Sequence, residues 1–526
     1  MTPAIFNAAA CRMSLFGALR DAARRHGAGK VILEDVERQP LTYGRLILGS
    51  LVLGRRLKME TLPGQATGLL LPNVNALVLS LFGLNAFGRT VGLLNFTAGA
   101  RNIQSAIKTG PLPVVVTSRR FVETAKLDDL VDAIGETEWM PGRTGRVVYL
   151  EDIRKGISRT DKLIGLAGSL APTFATSPQK PGDIAVMLFT SGTEGAPKGV
   201  ALTNTNLVAN ARQIFQHATG ALSAADTALN PLPMFHSFGL TAGTLMPLLS
   251  GMRTVLYPSP LHYKQIPKLM KETKSTLLFS TDTFLQGYAR AGDEGDTDTL
   301  RYVVAGAERV KDATREIWGR SGTEILEGYG ATECSPVISC NLPDHKRHGS
   351  VGRVLPGIET RLSPVEGISD GGRLQVRGPN VMAGYILPNA PGLIVPPAGG
   401  WHDTGDIVTI EDGYIFIRGR AKRFAKIGGE MISLAAVEAM ASGLWPDNTH
   451  VCVSLPDARR GESLVLVTDK PDADKAALSA YAREQGVAEL WVPKALLVTQ
   501  QIPILGSGKV DYAATLEKAR EARPLL

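Results

Sequence analysis

The run Thr190-Ser-Gly-Thr-Glu-Gly195, with Lys198 shortly after it, combines residue types suited to holding anionic oxygen. Small hydroxyl residues and glycines in series let backbone N–H groups turn toward one point, with Ser191 and Thr193 hydroxyls beside them. Such a concavity suits a polyphosphate. Lys198 adds a cation. The pattern is not the Gly-x4-Gly-Lys-Ser/Thr loop of many nucleotide-binding proteins, and Gly506-Ser-Gly-Lys509 does not fit that pattern either. Taken alone, the run also reads as an ordinary Gly/Ser surface turn.

A second string, Ile325-Leu-Glu-Gly-Tyr-Gly-Ala-Thr-Glu333, ends an apolar stretch in glycines. Tyr329, between Gly328 and Gly330, can lie flat against a purine. Thr332 can donate to a phosphate oxygen. Glu333 can hold a magnesium ion, which takes hard oxygen ligands and shares them between one or two carboxylates and phosphates. Asp406, next to Gly405, can accept hydrogen bonds from ribose hydroxyls, and Asp403 reads as a turn residue. Lys509 stands behind two glycines near the C-terminal end. As an ammonium it can neutralise an attacking carboxylate and a phosphate together, help worth on the order of 3–4 kcal/mol. An isolated lysine on a turn is otherwise a solvated one.

The elements that would carry these residues follow from apolar patterning. Ile184 to Phe189 suits a buried strand. Thr203-Asn-Thr-Asn206 supplies a helix N-cap ahead of Leu207, so strand, phosphate-gripping loop, helix is the predicted context. Ser14 to His26 has helical spacing, and Thr42 caps a further helix. Lys30 to Glu34, Pro113 to Thr117, Arg146 to Leu150 and Leu300 to Val304 read as strands. The last ends in Gly306-Ala307-Glu308, a small-residue turn of the kind at which open α/β sheets bind ligands. His236, within Phe235-His-Ser-Phe-Gly239, reads on its own as a packed core histidine. Strands alternating with helices predict an α/β fold with largely parallel, helix-covered sheets.

At 526 residues more than one domain is expected. Apolar residues at 44% and charged residues at 20% are typical of a globular protein. The formal charge of +7, from 57 basic and 50 acidic side chains, goes with an isoelectric point near 9.1. That excess suits an acidic partner, an anionic membrane surface or a polyanionic substrate, and equally a solvated surface. Cys11, Cys334, Cys340 and Cys452 are scattered, which predicts no structural zinc site and suits a reducing cytoplasm. No basic-then-apolar signal layout opens the chain. The apolar region Gly68 to Leu94 is cut by Pro72-Asn-Val-Asn75 and Arg89, so it predicts a buried strand and helix rather than a span. Peripheral contact with the inner face of a membrane stays open, and no nucleic-acid role is expected.

Together these strings resemble the AMP-forming acyl-activating superfamily across essentially the whole chain. The resemblance implies a large AMP-binding domain over 1–419, with its phosphate loop at 187–200. A small mobile C-terminal α/β domain over 420–526 would carry Lys509. It implies ATP and Mg²⁺ as cofactors, with Thr190, Ser191, Gly192, Thr193, Glu194, Gly195 and Lys198 on the phosphates. Gly306, Ala307 and Glu308 would lie along the adenine, with Tyr329 and Gly330, and Asp406 and Arg420 would take the ribose. His236 would sit at the carboxylate entrance, positioning rather than moving protons. Thr332, Glu333 and Lys509 would serve catalysis, Glu333 as metal ligand. Lys422 would be the hinge, and Gly428-Gly429 would line a channel for a pantetheine thiol.

Within the superfamily, Pro258-Ser-Pro-Leu-His-Tyr263, Arg301 to Glu308, Gly419 to Lys426 and Leu505-Gly-Ser-Gly-Lys509 look like one branch. They resemble the acyl-[acyl-carrier-protein] synthetase half of bifunctional 2-acylglycerophosphoethanolamine acyltransferases. The chain has no His-x4-Asp pair, so the acyltransferase portion is not expected. The implied function is an ATP-dependent fatty acid ligase: a carboxylate becomes an acyl-adenylate with release of pyrophosphate, then passes to a thiol. Acyl carrier protein phosphopantetheine is the first acceptor, docked through Arg423 and Lys426, and CoA the competing one. A catalytically silent adenylate-binding regulator and an amino-acid-activating module are the alternatives. Leu240, Phe284 and Val337 read as either acyl-pocket lining or core.

Overall fold

The residues of Val114–Thr117 are buried throughout, as a strand covered on both faces requires. This strand belongs to an eight-stranded sheet. A computed structural model describes residues 5–171, 176–190, 197–427, 430–457, 461–504 and 510–522. The chain forms two compact units: residues 1–359 with 376–402, and residues 360–375 with 403–526.

Among the described residues the larger unit is built on two large sheets, with a separate two-stranded one, Glu138–Met140 and Arg143–Thr144. In the eight-stranded sheet, Ile184–Thr190, Thr90–Leu93, Ala66–Leu69, Val114–Thr117 and Arg146–Tyr149 lie parallel and side by side. Lys198–Thr203, Gly384–Leu387 and Ala390–Val395 extend it antiparallel. In the second sheet Glu324–Gly330, Tyr302–Ala305, Leu277–Ser280, Thr227–Asn230, Arg253–Leu256 and Val31–Glu34 run parallel. Antiparallel partners flank this run, Val337–Cys340 at one end and Leu41–Thr42 at the other. The sheets are therefore mixed, parallel at the centre and antiparallel where hairpins close them.

One sequence expectation needs correction. The segment after the phosphate-loop string is not a helix directly. Lys198–Thr203 returns as a strand against Ile184–Thr190, with Lys198 opposite Thr190. Val200, Ala201 and Leu202 are fully buried, so sheet packing captures them. The helix Asn204–His217 begins only then, and its cap is a reciprocal one. Thr203 Oγ1 accepts from the Asn206 N–H at 3.1 Å, and Asn206 Oδ1 accepts from the Thr203 N–H at 2.8 Å. The start of this helix is pinned by buried amides. Asn204 Oδ1 accepts from Asn85 Nδ2 at 2.7 Å and from the Leu15 N–H at 2.8 Å, while Asn204 Nδ2 donates to Gln179 Oε1 at 3.0 Å. With their polar atoms paired, these buried side chains fix a register rather than cost stability.

Other expected elements stand where they were read. Ser14 caps Leu15–His26 and Thr42 caps Tyr43–Leu57. The apolar stretch folds as the strand Ala66–Leu69 and the buried helix Asn75–Ala86. Among the described residues no helix is long and apolar enough to cross a membrane.

In the smaller unit Glu359–Val365, Ile368–Arg377, His402–Glu411 and Tyr414–Arg420 are consecutive neighbours in a sheet. A five-stranded sheet carries Phe424–Ile427, Glu430–Ser433, His450–Asp457, Gly461–Thr468 and Ala495–Val498. Its core is Ala425, Ile432, Val437, Ala441, Cys452, Leu466 and Leu478, drawn from strands and from the helices Leu434–Leu444 and Lys475–Glu484. Asp406 and Asp403 both lie in the strand His402–Glu411. Asp403 nevertheless accepts from the Gly405 N–H at 3.0 Å, the local bond characteristic of Asp in turns.

Candidate active site

The helix Asn204–His217 organises the site in the larger unit through two asparagines one turn apart. Asn206 Nδ2 donates to the carbonyls of Pro379 (2.9 Å) and Val381 (2.7 Å). Asn210 exchanges bonds with the Val337 backbone, donating at 2.8 Å and accepting at 3.0 Å. The segment 379–382 is then tied to the turn Thr332–Cys334. Met382 N–H donates to the Glu333 carbonyl at 2.7 Å, Asn380 Nδ2 to the Cys334 carbonyl at 2.8 Å, and Ser335 Oγ to the Asn380 carbonyl at 2.8 Å.

That lacing brings a residue from a third strand onto the metal-ligand candidate. Tyr385, in Gly384–Leu387, donates its hydroxyl to Glu333 Oε1 at 2.6 Å. The Lys198 ammonium stands 5.4 Å from the centre of the Tyr385 ring, within cation–π range. Lys198, Tyr385 and Glu333 thus form one cluster. Thr332 Oγ1 lies 3.3 Å from Ser237 Oγ, the residue after His236. His236 stacks edgewise on Phe235, ring centres 4.8 Å apart, immediately before a π-helical segment Phe238–Leu245. Wide π turns recur at functional sites. Asn73 fixes the approach to His236, donating to the Leu232 carbonyl at 2.5 Å and accepting from the Met234 N–H at 2.9 Å.

Tyr329 is 9% exposed, and its backbone pairs with Ser339. Gly330 cannot carry a side chain: a Cβ there would lie 2.1 Å from the Pro336 carbonyl oxygen. Gly306 faces Phe238 and the Gly328 carbonyl, since its Cβ would meet them at 3.3 and 3.5 Å. The turn from the adjacent strand therefore lies against the Tyr329 string. Ala307 holds φ 69°, a left-handed backbone that an alanine rarely adopts. Glu308 Oε2 accepts from the Thr283 N–H at 3.1 Å and its hydroxyl at 2.7 Å. Leu240, Phe284 and Val337 are buried in the main apolar core.

The Cys334 thiol, next to Glu333, is fully buried, and burial followed by the Glu333 charge pushes its pKa well above the ordinary thiol value. It is an inert core group rather than a nucleophile.

In the smaller unit Asp406 and Arg420 are register partners on paired strands, with Arg420 Nε 3.2 Å from Asp406 Oδ1. Asp406 is 6% exposed. Lys422 lies in the turn Ala421–Arg423. Arg423 does not offer a docking cation. Its guanidinium donates to Glu438 Oε1 at 2.7 Å and the Cys452 carbonyl at 2.9 Å, and stacks 3.7 Å from the Tyr512 ring centre. Lys426 is exposed and reaches Glu366 at 3.1 Å. Ser191, Gly192, Thr193, Glu194, Gly195, Gly428, Gly429 and Lys509 lie outside the described residues.

Among the described residues no group of three or more His, Cys, Asp or Glu side chains is arranged to hold a metal. Glu333 fits magnesium on its own terms: it is a hard, partly exposed carboxylate with one oxygen bonded to a tyrosine hydroxyl. Magnesium in nucleotide sites takes few protein ligands and completes its shell with phosphate oxygens and water.

The AMP-binding enzyme family profile matches residues 19–386. The chain belongs to that family and is an ATP-dependent, acyl-adenylate-forming ligase. It is 26% identical over 491 residues to a long-chain-fatty-acid–CoA ligase of Escherichia coli O157:H7, covering 87% of this chain and 86% of that protein. It is 28% identical over 501 residues to a feruloyl-CoA synthase of an Amycolatopsis species, covering 93% and 94%. The fold is that of acyl-CoA synthetase-like structures. ATP-bound MatB from Rhodopseudomonas palustris superimposes with a TM-score of 0.81 at 23% identity, over 97% of this chain and 99% of that one. A Mycobacterium tuberculosis fatty acyl CoA synthetase gives 0.73 at 21% identity, over 97% and 99%.

Proposed function

We propose that the chain activates a lipid carboxylic acid as its adenylate and transfers the acyl group to the thiol of CoA. It is an AMP-forming acid–thiol ligase. The cluster Lys198–Tyr385–Glu333 beside Thr332 carries the reading, because it gathers a cation, a hard carboxylate and a hydroxyl at the start of the strand Lys198–Thr203.

A carboxylate is a poor acyl donor until one oxygen is bonded to a good leaving group. Attack of the acid on the α-phosphate of ATP forms that anhydride and expels pyrophosphate. The residues from Thr190 to Gly195, with Lys198, hold the phosphates and Thr332 donates to one of their oxygens. Magnesium held by Glu333 would supply charge neutralisation on the leaving pyrophosphate. Lys509 offsets charge where acid and phosphate meet, His236 positions the acid, Tyr329 and the turn Gly306-Ala307-Glu308 contact the adenine, and Asp406 with Arg420 takes the ribose. The thiol then displaces AMP along Gly428-Gly429, with Lys422 as hinge between the half-reactions.

Two observations favour CoA over acyl carrier protein. The curated relatives named above are CoA ligases and synthases. Arg423, the cation the sequence offered for docking an acidic carrier protein, is committed to Glu438, Cys452 and Tyr512. The test supplies the purified chain with ATP, Mg²⁺ and a series of fatty and aromatic acids. Pyrophosphate release is followed first, then thioester formation with CoA and with carrier protein side by side. Release with long aliphatic acids and turnover with CoA are expected. Turnover with carrier protein alone would return the acceptor to the second reading, and no release with any acid would leave an adenylate-binding regulator.

A further inference from the structure

The helix Arg159–Leu170 has its polarity reversed. Its buried positions are Asp161, Gly165 and Gly168, one stripe at i, i+4 and i+7. That stripe packs on the helix Tyr43–Leu57. Asp161 pairs with Arg55 Nε at 2.9 Å and Arg56 Nη2 at 2.6 Å, and a Cβ on Gly165 would stand 2.6 Å from Val52 Cγ2. The opposite stripe carries Leu163, Leu166 and Leu170, exposed by 67%, 50% and 81%. Their i, i+3, i+7 spacing makes one continuous apolar face. Met59 and Leu62, just past the end of the supporting helix, are likewise exposed, at 68% and 66%.

On the helix itself the exposed charges are of one sign. Arg159 and Lys162 are both exposed. The one acid of this helix, Asp161, is buried against Arg55 and Arg56. An apolar stripe flanked by lysine and arginine is the pattern of a helix lying in a bilayer interface.

We propose that this face docks on an anionic lipid bilayer, with Leu163, Leu166 and Leu170 entering the boundary between headgroups and acyl chains and Arg159 and Lys162 meeting lipid phosphates. A second copy of the chain fits less well. A two-fold contact would set the same cations against each other, and a strip one leucine wide falls short of the roughly 800 Å² per partner of a stable interface. The use of such docking rests on the lipid-acid reading above, since a long-chain acid partitions into membranes. The surface chemistry itself does not.

The test is cosedimentation of the full chain with vesicles of phosphatidylcholine alone and of phosphatidylcholine with phosphatidylglycerol. Binding to the anionic vesicles is expected, weakening as salt is raised. The combined variant Leu163→Ser, Leu166→Ser, Leu170→Ser should lose about tenfold or more of it. Arg159→Gln and Lys162→Gln should each lower it by about fivefold at low salt. Circular dichroism and pyrophosphate release from a medium-chain acid in solution should match the parent in all variants. Equal binding by parent and leucine variant, or none to either vesicle, overturns the proposal. So does a dimer in light scattering that the leucine changes dissociate. Vesicle binding without pyrophosphate release in any protein would fail the catalytic reading and leave the surface standing.

Discussion

The Tyr385 hydroxyl donates to Glu333 at 2.6 Å across 52 residues of sequence, and the Tyr385 ring lies under the Lys198 ammonium. A carboxylate proposed to hold magnesium must keep one orientation while nucleotide enters and leaves, and a hydrogen bond from a strand-borne tyrosine holds it. The Tyr385→Phe variant keeps the ring and removes the donor. Hydrogen bonds to charged groups contribute about 1.5–3 kcal/mol. The Mg²⁺ concentration giving half-maximal adenylate formation should therefore rise by roughly tenfold or more, with the fold intact by circular dichroism. A magnesium dependence identical to the parent's would show that Tyr385 is only a packing residue.

The fold was legible wherever local chemistry decides it. Ser14, Thr42 and Thr203 cap the helices their types suggest, and β-branched runs such as Val114-Val-Val are buried strands. The strand Lys198–Thr203 was not legible, because Val200-Ala-Leu fits either period and only pairing with two neighbours selects the extended form. Tyr385 was missed for a related reason. A lone tyrosine after a glycine has no spacing to mark it, and its meeting with Glu333 depends on Asn206 and Asn380 lacing three segments together. Arg423 was misread because a basic run in sequence does not show Glu438 fifteen positions on.

Gly330 tests whether that lacing matters for the chemistry. A methyl there would push the Pro336 carbonyl away and part the strands that set the turn Thr332–Cys334. Gly330→Ala should cost about 1–3 kcal/mol of stability in denaturant titration. Adenylate formation should fall further than lost folded protein explains, because Thr332 and Glu333 follow two and three residues later. Activity lost only in proportion to folded fraction would argue that the turn is placed independently of the hairpin.

In the proposed mechanism Lys509 serves only the first of the two half-reactions. With its charge acting only while acid meets the α-phosphate, Lys509→Ala should slow pyrophosphate release by about 10²–10³-fold. Thioester formation from added acyl-adenylate and CoA should stay within a few-fold of the parent. Equal losses in both steps would mean the lysine acts on something common to them, such as the fold of the smaller unit.

Asp161 gives a pH dependence whose direction is fixed. The Ser158 hydroxyl and N–H bond to its carboxylate, and Arg55 and Arg56 lie against it, so its pKa is held far below the ordinary value. A depressed folded-state pKa means the unfolded chain binds the proton more tightly. The stability it contributes is present above the unfolded pKa of about 4 and is lost as pH falls below it. In denaturant titrations the parent should therefore exceed Asp161→Asn at neutral pH, with the gap narrowing as pH drops from about 4 toward 2. Because the same carboxylate anchors Arg159–Leu170 to Tyr43–Leu57, Asp161→Asn should also loosen that helix, read as faster amide exchange over 159–170. A gap that does not change with pH would assign the contribution to packing of the side chain rather than to its charge.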